Sequence, residues 1–249
     1  SKYICNGLPE DILEKYPNVD GFLPLTHKGG CGMQEGGSDH EQLSRVLAGF
    51  ATHPNIGGYI LVGLGCEVGQ ASHLVHSKNL IQVGGVTQEG PPADNNAPPL
   101  ISIQDQGGVS ATVKAGISAV LDLLPSVNSI QRTPQSVSNL VLGTQCGGSD
   151  GSSGITANPA LGGASDLLVA SGGTVILGET PEIYGAEHLL TRRAISREVG
   201  EKLVERIGWW EWYSGVFGAE LNNNPSPGNK AGGLTTIFEK SLGAIAKGG

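Results

Sequence analysis

Three of the four cysteines sit where a thiol could meet a ligand. Cys31 lies in Thr26-His27-Lys28-Gly29-Gly30-Cys31-Gly32, Cys66 in Gly65-Cys66-Glu67, and Cys146 in Gly143-Thr144-Gln145-Cys146-Gly147-Gly148. Glycine beside cysteine lets a metal or cluster approach the backbone, and nearby amides stabilise a thiolate. Three thiols and one open position suit a cluster with a substrate-binding iron. A subset with His27 or Glu67 would instead hold mononuclear Fe²⁺ or Zn²⁺. No C-x-x-C spacing occurs, so the argument rests on the loops rather than on a metal signature. The competing reading makes each thiol a small buried hydrophobe, as most free cysteines are. Cys5 has no such loop and is read as structural.

Other reactive side chains fall in similar places. Thr26, His27 and Lys28 precede Cys31, Asp150 follows Cys146, and Glu179 and Glu182 stand in Gly178-Glu179-Thr180-Pro181-Glu182. The run Asn222 to Lys230 (NNNPSPGNK) offers three adjacent amides and a lysine in a proline-stiffened loop, suited to a carboxylate or hydroxyls. Gly147 to Gly154 looks like a phosphate cradle but lacks the Gly-Lys-Ser/Thr ending of a P-loop, so a turn or a helix-terminal anion site is the better reading. Trp209, Trp210, Trp212 and Tyr213 read as packing at a helix end.

What positions these loops is a set of short apolar runs. Val19 to Leu25, Tyr59 to Leu64, Leu100 to Ile103, Leu140 to Leu142 and Thr174 to Leu177 have strand character, and at least four end in a loop carrying reactive groups. Helical periodicity lies between them. Leu43, Val46, Leu47 and Phe50 share one face, and Val113, Gly116, Ile117, Val120, Leu121 and Leu124 another, with Pro125 directly after. A long amphipathic helix is expected from about Gly185 to Trp210, with Glu187, Arg192, Arg197 and Glu201 solvated. Gly84 to Pro99 reads as an exposed loop. Strands alternating with helices predict one α/β domain over residues 1–249, a mostly parallel sheet with helices on both faces and Gly-rich loops at the strand C-termini. Ligands bind beyond the carboxyl ends of such strands, which would gather the three thiols at one rim.

Composition narrows the function. Forty glycines in 249 residues make about 16% of the chain against a usual share of about 7%, with no collagen period. A formal charge of −8 and no basic stretch disfavour a nucleic-acid partner. The apolar runs are too short to cross a bilayer, no signal pattern opens the chain, and four scattered cysteines suggest a reducing, cytoplasmic setting.

The longer motifs carry a resemblance. THKGGCGM (Thr26 to Met33), VGLGCE (Val62 to Glu67), LGTQCGGSDGSSGITANPALG (Leu142 to Gly162), ETPEIYGAEHLLTRRA (Glu179 to Ala194) and NNNPSPGNKAGGLTTIFEKSLGAIAKGG (Asn222 to Gly249) resemble the altronate dehydratase/galactarate dehydratase family. The resemblance spans nearly the whole chain. It implies an iron-dependent lyase that removes water from a hydroxylated sugar acid. It also implies that this chain is a central portion of a longer protein, acting with flanking domains or a partner subunit, and open to homo-oligomerisation.

The loop chemistry then suggests roles. Cys31, Cys66 and Cys146 are expected near the iron, bound as Fe²⁺ or as an iron–sulfur cluster. His27 and Glu179 are the acid/base candidates, and Thr26, Lys28, Asn223 and Lys230 those for substrate binding. Sulfite elimination from a sulfonated hydroxy acid by a related sulfo-lyase is the runner-up, and a scaffold or dimerisation domain inactive in isolation is a third reading. The isolated chain is expected to show little activity, because no obvious lid excludes water from its loops.

Overall fold

The computed structural model describes residues 1–78, 80 and 98–249. The chain divides into two compact units, Ser1–Thr133 and Pro134–Gly249. Nearly all of the segment expected as an exposed loop, Gly84 to Pro99, lies outside the described residues.

The first unit opens with two short helices, α1 (Lys2–Asn6) and α2 (Ile12–Lys15), and continues through α3 (Ser38–Ala51), β1 (Leu61–Gly63), α4 (Ala71–Lys78), β2 (Leu100–Ser102) and α5 (Val109–Ser129). Strands β1 and β2 pair in parallel, with Leu61 opposite Leu100 and Gly63 opposite Ser102. Val19 to Leu25 is not a strand. Pro24 has no N–H to give a ladder, and side chains serve the flanks. Asn18 donates through its backbone N–H to Asn128 Oδ1 at 2.9 Å, and through Nδ2 to Asn128 O at 2.7 Å.

Those two bonds also hold the last turn of α5, which runs through Pro125 rather than stopping before it. Early in α5, Gly116 lets the helix sit against Ile4 of α1, since a Cβ there would overlap Ile4 Cδ1. In α3 the buried face differs from the expected stripe. His40, Ser44 and Ala51 are buried, whereas Val46 and Phe50 are 47% and 41% exposed. Leu47 and Ala48 of α3 complete a small core with Ala51, Tyr59, Leu74 and Leu80.

The second unit contains β3 (Val141–Thr144), α6 (Ala157–Ala170), β4 (Thr174–Leu177), α7 (His188–Thr191), α8 (Arg197–Val216), α9 (Pro227–Ala231) and α10 (Ile237–Ala246), with 3₁₀ turns at Thr180–Ile183 and Leu221–Asn223. Strands β3 and β4 pair in parallel, Val141 opposite Thr174 and Thr144 opposite Leu177. Its core joins Ile183, Ala186, Ile207, Ala244 and Ile245, with Leu177, Leu189, Leu190 and Leu203 packed around them. Helix α6 approaches α10 closely at Gly162, where a Cβ would overlap the carbonyl of Ala246.

Among the described residues the strands thus pair in parallel as two two-stranded sheets, one in each unit, rather than as one larger sheet. The long helix expected from Gly185 is broken. Gly185 takes a left-handed φ of 81°, α7 ends by Arg192, and α8 begins only after Ser196, whose Oγ caps it by accepting from the Val199 N–H. A serine cap of this kind fixes a helix start because it satisfies an amide with no intrahelical partner. Arg192, Arg197 and Glu201 are exposed as expected, but Glu187 is half-buried, with an Oε2 that accepts no hydrogen bond. Trp209, Trp210, Tyr213 and Phe217 stack edge and face along the last turns of α8. Among the described residues no helix is long and apolar enough to cross a membrane.

Candidate functional site

The chemistry of the second unit gathers at the ends of its two strands. Strand β3 delivers Cys146, and β4 delivers Glu179 two residues beyond its end. The 3₁₀ turn that follows carries Glu182. One ligand atom from each of Cys146, Glu179 and Glu182 lies within 4.8 Å of the others. Parallel pairing explains the meeting. It sets Thr144 opposite Leu177, so the residues just past each end enter the same space.

Glu179 reaches that position through a backbone that only its surroundings can hold. Its φ of 60° is left-handed, a conformation that costs a side-chain-bearing residue about 1–2 kcal/mol. In return Glu179 Oε2 accepts from the Cys146 N–H at 2.8 Å and from Lys247 Nζ at 3.2 Å. Strain concentrated in one residue of a cleft is a common mark of a functional position.

Glu182 is held differently. Its Oε1 accepts from Lys240 Nζ at 2.6 Å and from Asn224 Nδ2 at 3.0 Å, and Lys240 also donates to Asn224 Oδ1 at 3.0 Å. Burial pushes the Glu182 carboxyl up. The hydrogen bonds from Lys240 and Asn224, the lysine's charge and a hydrogen bond with the Glu179 carboxyl outweigh that, and the net direction is down. Glu182 Oε2, by contrast, is buried and accepts no hydrogen bond from a nitrogen or a hydroxyl. A charged oxygen kept dry near a second carboxyl is costly, so it marks a place that a shared proton or a cation would fill. Cys146 Sγ lies 2.8 Å from Ser149 Oγ, which leaves the sulfur a polar neighbour beside the two carboxylates.

The two lysines are the least accessible charged groups of the unit, with side chains only 7% (Lys240) and 4% (Lys247) exposed. Both come from the C-terminal helix region, and Ser165 of α6 donates to the Lys247 carbonyl at 2.8 Å, fixing that end. Beside the carboxylates a cleft of about 510 Å³ opens, lined by Glu182, Asn223, Asn224, Ser226, Asn229 and Lys240 among others. Asn229 Nδ2 donates to Ser149 O at 2.8 Å and Gly151 N–H to Gly232 O at 2.9 Å, so the asparagine-rich loop is bonded to the loop after β3. The Gly147 to Gly154 segment is a turn closed on itself. The Ser152 and Ser153 amides donate to Asp150 Oδ1, which occupies the donors that a phosphate would need.

Of the residues singled out in the sequence, the structure brings Cys146 and Glu179 together and places Asn223 in the adjoining cleft. Lys230, on α9, is exposed and is not among the residues lining that cleft. Thr26, His27, Lys28, Cys31 and Cys66 belong to the first unit, where all five are exposed. There Cys31 Sγ donates to the Cys66 carbonyl at 3.4 Å, and the Glu67 carboxylate accepts from the Leu64 and Gly65 amides at 3.0 and 2.6 Å. The loops of Cys31 and Cys66 therefore adjoin, but Glu67 is turned to its own backbone.

Sequence reading missed Lys240 and Lys247 as site residues, and noted Asn224 only as one of three amides in a binding loop. A lysine on the largely apolar helix Ile237-Phe238-Glu239-Lys240-Ser241-Leu242-Gly243-Ala244-Ile245-Ala246 was the available signal, since a charge within a buried face needs a partner.

Comparison with known proteins agrees with the division into units. Residues 1–128 match the family model described as D-galactarate dehydratase/Altronate hydrolase, second domain, and residues 137–249 the one described as D-galactarate/Altronate dehydratase, C-terminal. An altronate dehydratase from Bacillus subtilis is 37% identical over 98% of this chain and 47% of the relative. A galactarate dehydratase (L-threo-forming) from Escherichia coli is 41% identical over 82% of the chain and 38% of the relative. The subunit beta of a (2R)-sulfolactate sulfo-lyase from Chromohalobacter salexigens is 32% identical over 98% and 58%. The chain thus spans about half the length of the curated relatives it matches. Two adjoining domain models and relatives of this identity place the chain in the D-galactarate/altronate dehydratase family.

Proposed function

We propose that the protein is a hydro-lyase acting on a hydroxylated sugar acid, and that Cys146, Glu179 and Glu182 hold a divalent metal, iron by the family resemblance. The observation that carries the metal reading is that Glu182, whose Oε2 is buried away from every nitrogen and hydroxyl donor, has a carboxylate oxygen within 4.8 Å of ligand atoms of Cys146 and Glu179. One thiol and two carboxylates form a mixed donor set that suits Fe²⁺ or Zn²⁺ better than a hard cation such as Mg²⁺. Bound there, the ion would supply Lewis-acid polarisation of a substrate carboxylate or hydroxyl.

The residues around the cluster do the rest. Removing water from a 2,3-dihydroxy acid needs a base for the weakly acidic proton beside the carboxylate and an acid for the leaving hydroxyl. Glu179, fixed by Lys247 and the Cys146 amide, is a candidate for ligand or base, and His27 remains the acid/base candidate from the first unit. The amides of Asn223, Asn224 and Asn229 line the cleft where a polyhydroxylated chain would need several donors and acceptors. Cys31 and Cys66, both exposed, are assigned no ligand role in this reading.

The test uses the intact protein, loaded with Fe²⁺ without oxygen and assayed on galactarate, altronate and sulfolactate. Dehydration of either sugar acid, with metal lost in Cys146→Ser and Glu182→Gln, supports the proposal. Sulfite release from sulfolactate alone would move the protein to the sulfo-lyase reading. In Glu179→Gln, retained metal with lost turnover marks a base, and lost metal marks a ligand. Wild-type protein that binds no divalent ion would sink the metal site.

A further inference from the structure

We infer that Lys240 is an exchangeable counter-ion: it holds Glu182 while the metal site is empty and holds a carboxylate of the acid substrate once a divalent cation has taken Glu182. This rests on the metal reading proposed above and adds to it the residue that recognises the substrate's charge.

Three observations carry the inference. First, Lys240 spends its ammonium on the very residue that the cation would need. Its Nζ lies 2.6 Å from Glu182 Oε1, and the other oxygen of that carboxylate is buried with no nitrogen or hydroxyl donor. Second, loading turns a balanced site positive. The two carboxylates, Glu179 and Glu182, are matched one for one by Lys247 and Lys240. A divalent cation therefore leaves a surplus of positive charge in a poorly hydrated place, even with Cys146 as thiolate, and an anion is needed to offset it.

Third, only one of the lysines is placed to meet that anion. Lys240 lines the cleft of about 510 Å³ together with Asn223, Asn224 and Asn229, whereas Lys247 is not among its lining residues. Asn224 supports the exchange from both sides. Its Nδ2 donates to Glu182 and its Oδ1 accepts from Lys240, so it holds the ammonium in place when the carboxylate turns to the metal. The ligand class is a hydroxy acid with its carboxylate on Lys240 and its hydroxyls toward the asparagines.

The inference is tested by calorimetry on the intact protein, titrating Mn²⁺ as the metal probe, and then D-galactarate and D-altronate with Mn²⁺ present. In Lys240→Met the two affinities should move in opposite directions. Mn²⁺ binding should stay equal or tighten, because a repelling cation has gone, while binding of the acid weakens at least about tenfold. Lys240→Arg should recover part of the acid binding with no loss of metal. A merely structural lysine predicts that both affinities fall, and that result would overturn the proposal, as would unchanged acid binding. Lys240→Gln keeps a donor for Asn224 and guards against a folding defect. If neither neutral variant folds, the lysine is structural and the proposal fails. The metal reading fails separately, if wild type binds no Mn²⁺ or if Cys146→Ser and Glu182→Gln bind it as wild type does. The substrate reading fails if wild type with Mn²⁺ binds neither acid.

Discussion

The Cys31–Cys66 loops of the first unit and the Cys146 loop of the second begin from similar sequence, a cysteine among glycines after an apolar run. They end in different chemistry. Cys31 and Cys66 are exposed, and the nearby Glu67 carboxylate is satisfied by the amides of its own turn. Cys146 is half-buried beside two carboxylates, each tied to a buried lysine, with one carboxylate oxygen left over. What separates them is the company a thiol keeps. A dry carboxylate oxygen invites a cation, and among the described residues the Cys146 region has one beside its thiol.

The sharpest attempt to break this contrast removes the orphaned oxygen. Glu182→Ala should abolish metal binding and lower turnover more than about a hundredfold, beyond the loss usual for an outer partner of a ligand. It should also destabilise the second unit by about 3–5 kcal/mol, because Lys240 stays buried without its counter-charge. Cys31→Ser and Cys66→Ser should leave bound metal unchanged by elemental analysis. Metal loss in all three thiol variants would restore the reading in which the cysteines share one site.

A second prediction concerns how rigidly the lysine end of the site is held. Gly162→Ala places a methyl against the Ala246 carbonyl, one residue before Lys247, and backbone cannot move aside as a side chain can. We expect a loss of about 1–3 kcal/mol by denaturant titration, typical of overpacking, and weaker metal binding as Lys247 and Glu179 shift. The equivalent close approach in the first unit is Gly116 against Ile4, and Gly116→Ala should cost stability alone.

Acid should distinguish the units next. Glu182 titrates below its ordinary carboxylate value of 4.5 in the folded protein, so its contribution to stability is present above that value and is lost as pH falls through the lower folded one. Thermal unfolding followed between pH 6 and pH 3 should show this loss, and Glu182→Gln should flatten the profile. An unchanged profile in that variant would show that the Lys240 pair does not couple to folding.

The smallest effect is on thiol reactivity. Cys31 and Cys66 should react with a disulfide reagent several-fold faster than Cys146 and Cys5, since a reagent reaches an exposed thiol more readily. Adding Mn²⁺ should slow Cys146 and leave Cys31 and Cys66 unaffected. Protection of all four would contradict the assignment of the metal to the second unit.

Much of this was legible in the chain itself. Thr174 to Leu177 is a strand as its β-branched run suggested, and Cys146 and Glu179 could be nominated because each follows an apolar segment and borders glycine. Helix α5 could be read from its spacing, although the Asn18–Asn128 bonds that accompany its continuation past Pro125 join residues far apart in sequence. Local pattern also misjudged the inward face of α3, because His40 and Ser44 are buried there while Phe50 is not.

By itself, then, the sequence determined local things: four of the five runs read as strands, which loops carry thiols and carboxylates, and which family the motifs belong to. Only the tertiary structure decided that Glu182 joins Cys146 and Glu179, that Glu179 adopts a left-handed backbone, and that Lys240 and Lys247 supply their counter-charges from about sixty residues further on. The physical reason is that charge pairing acts through space. A lysine on an apolar helix is an anomaly in sequence, and it becomes part of a site only when parallel strands bring a carboxylate within reach.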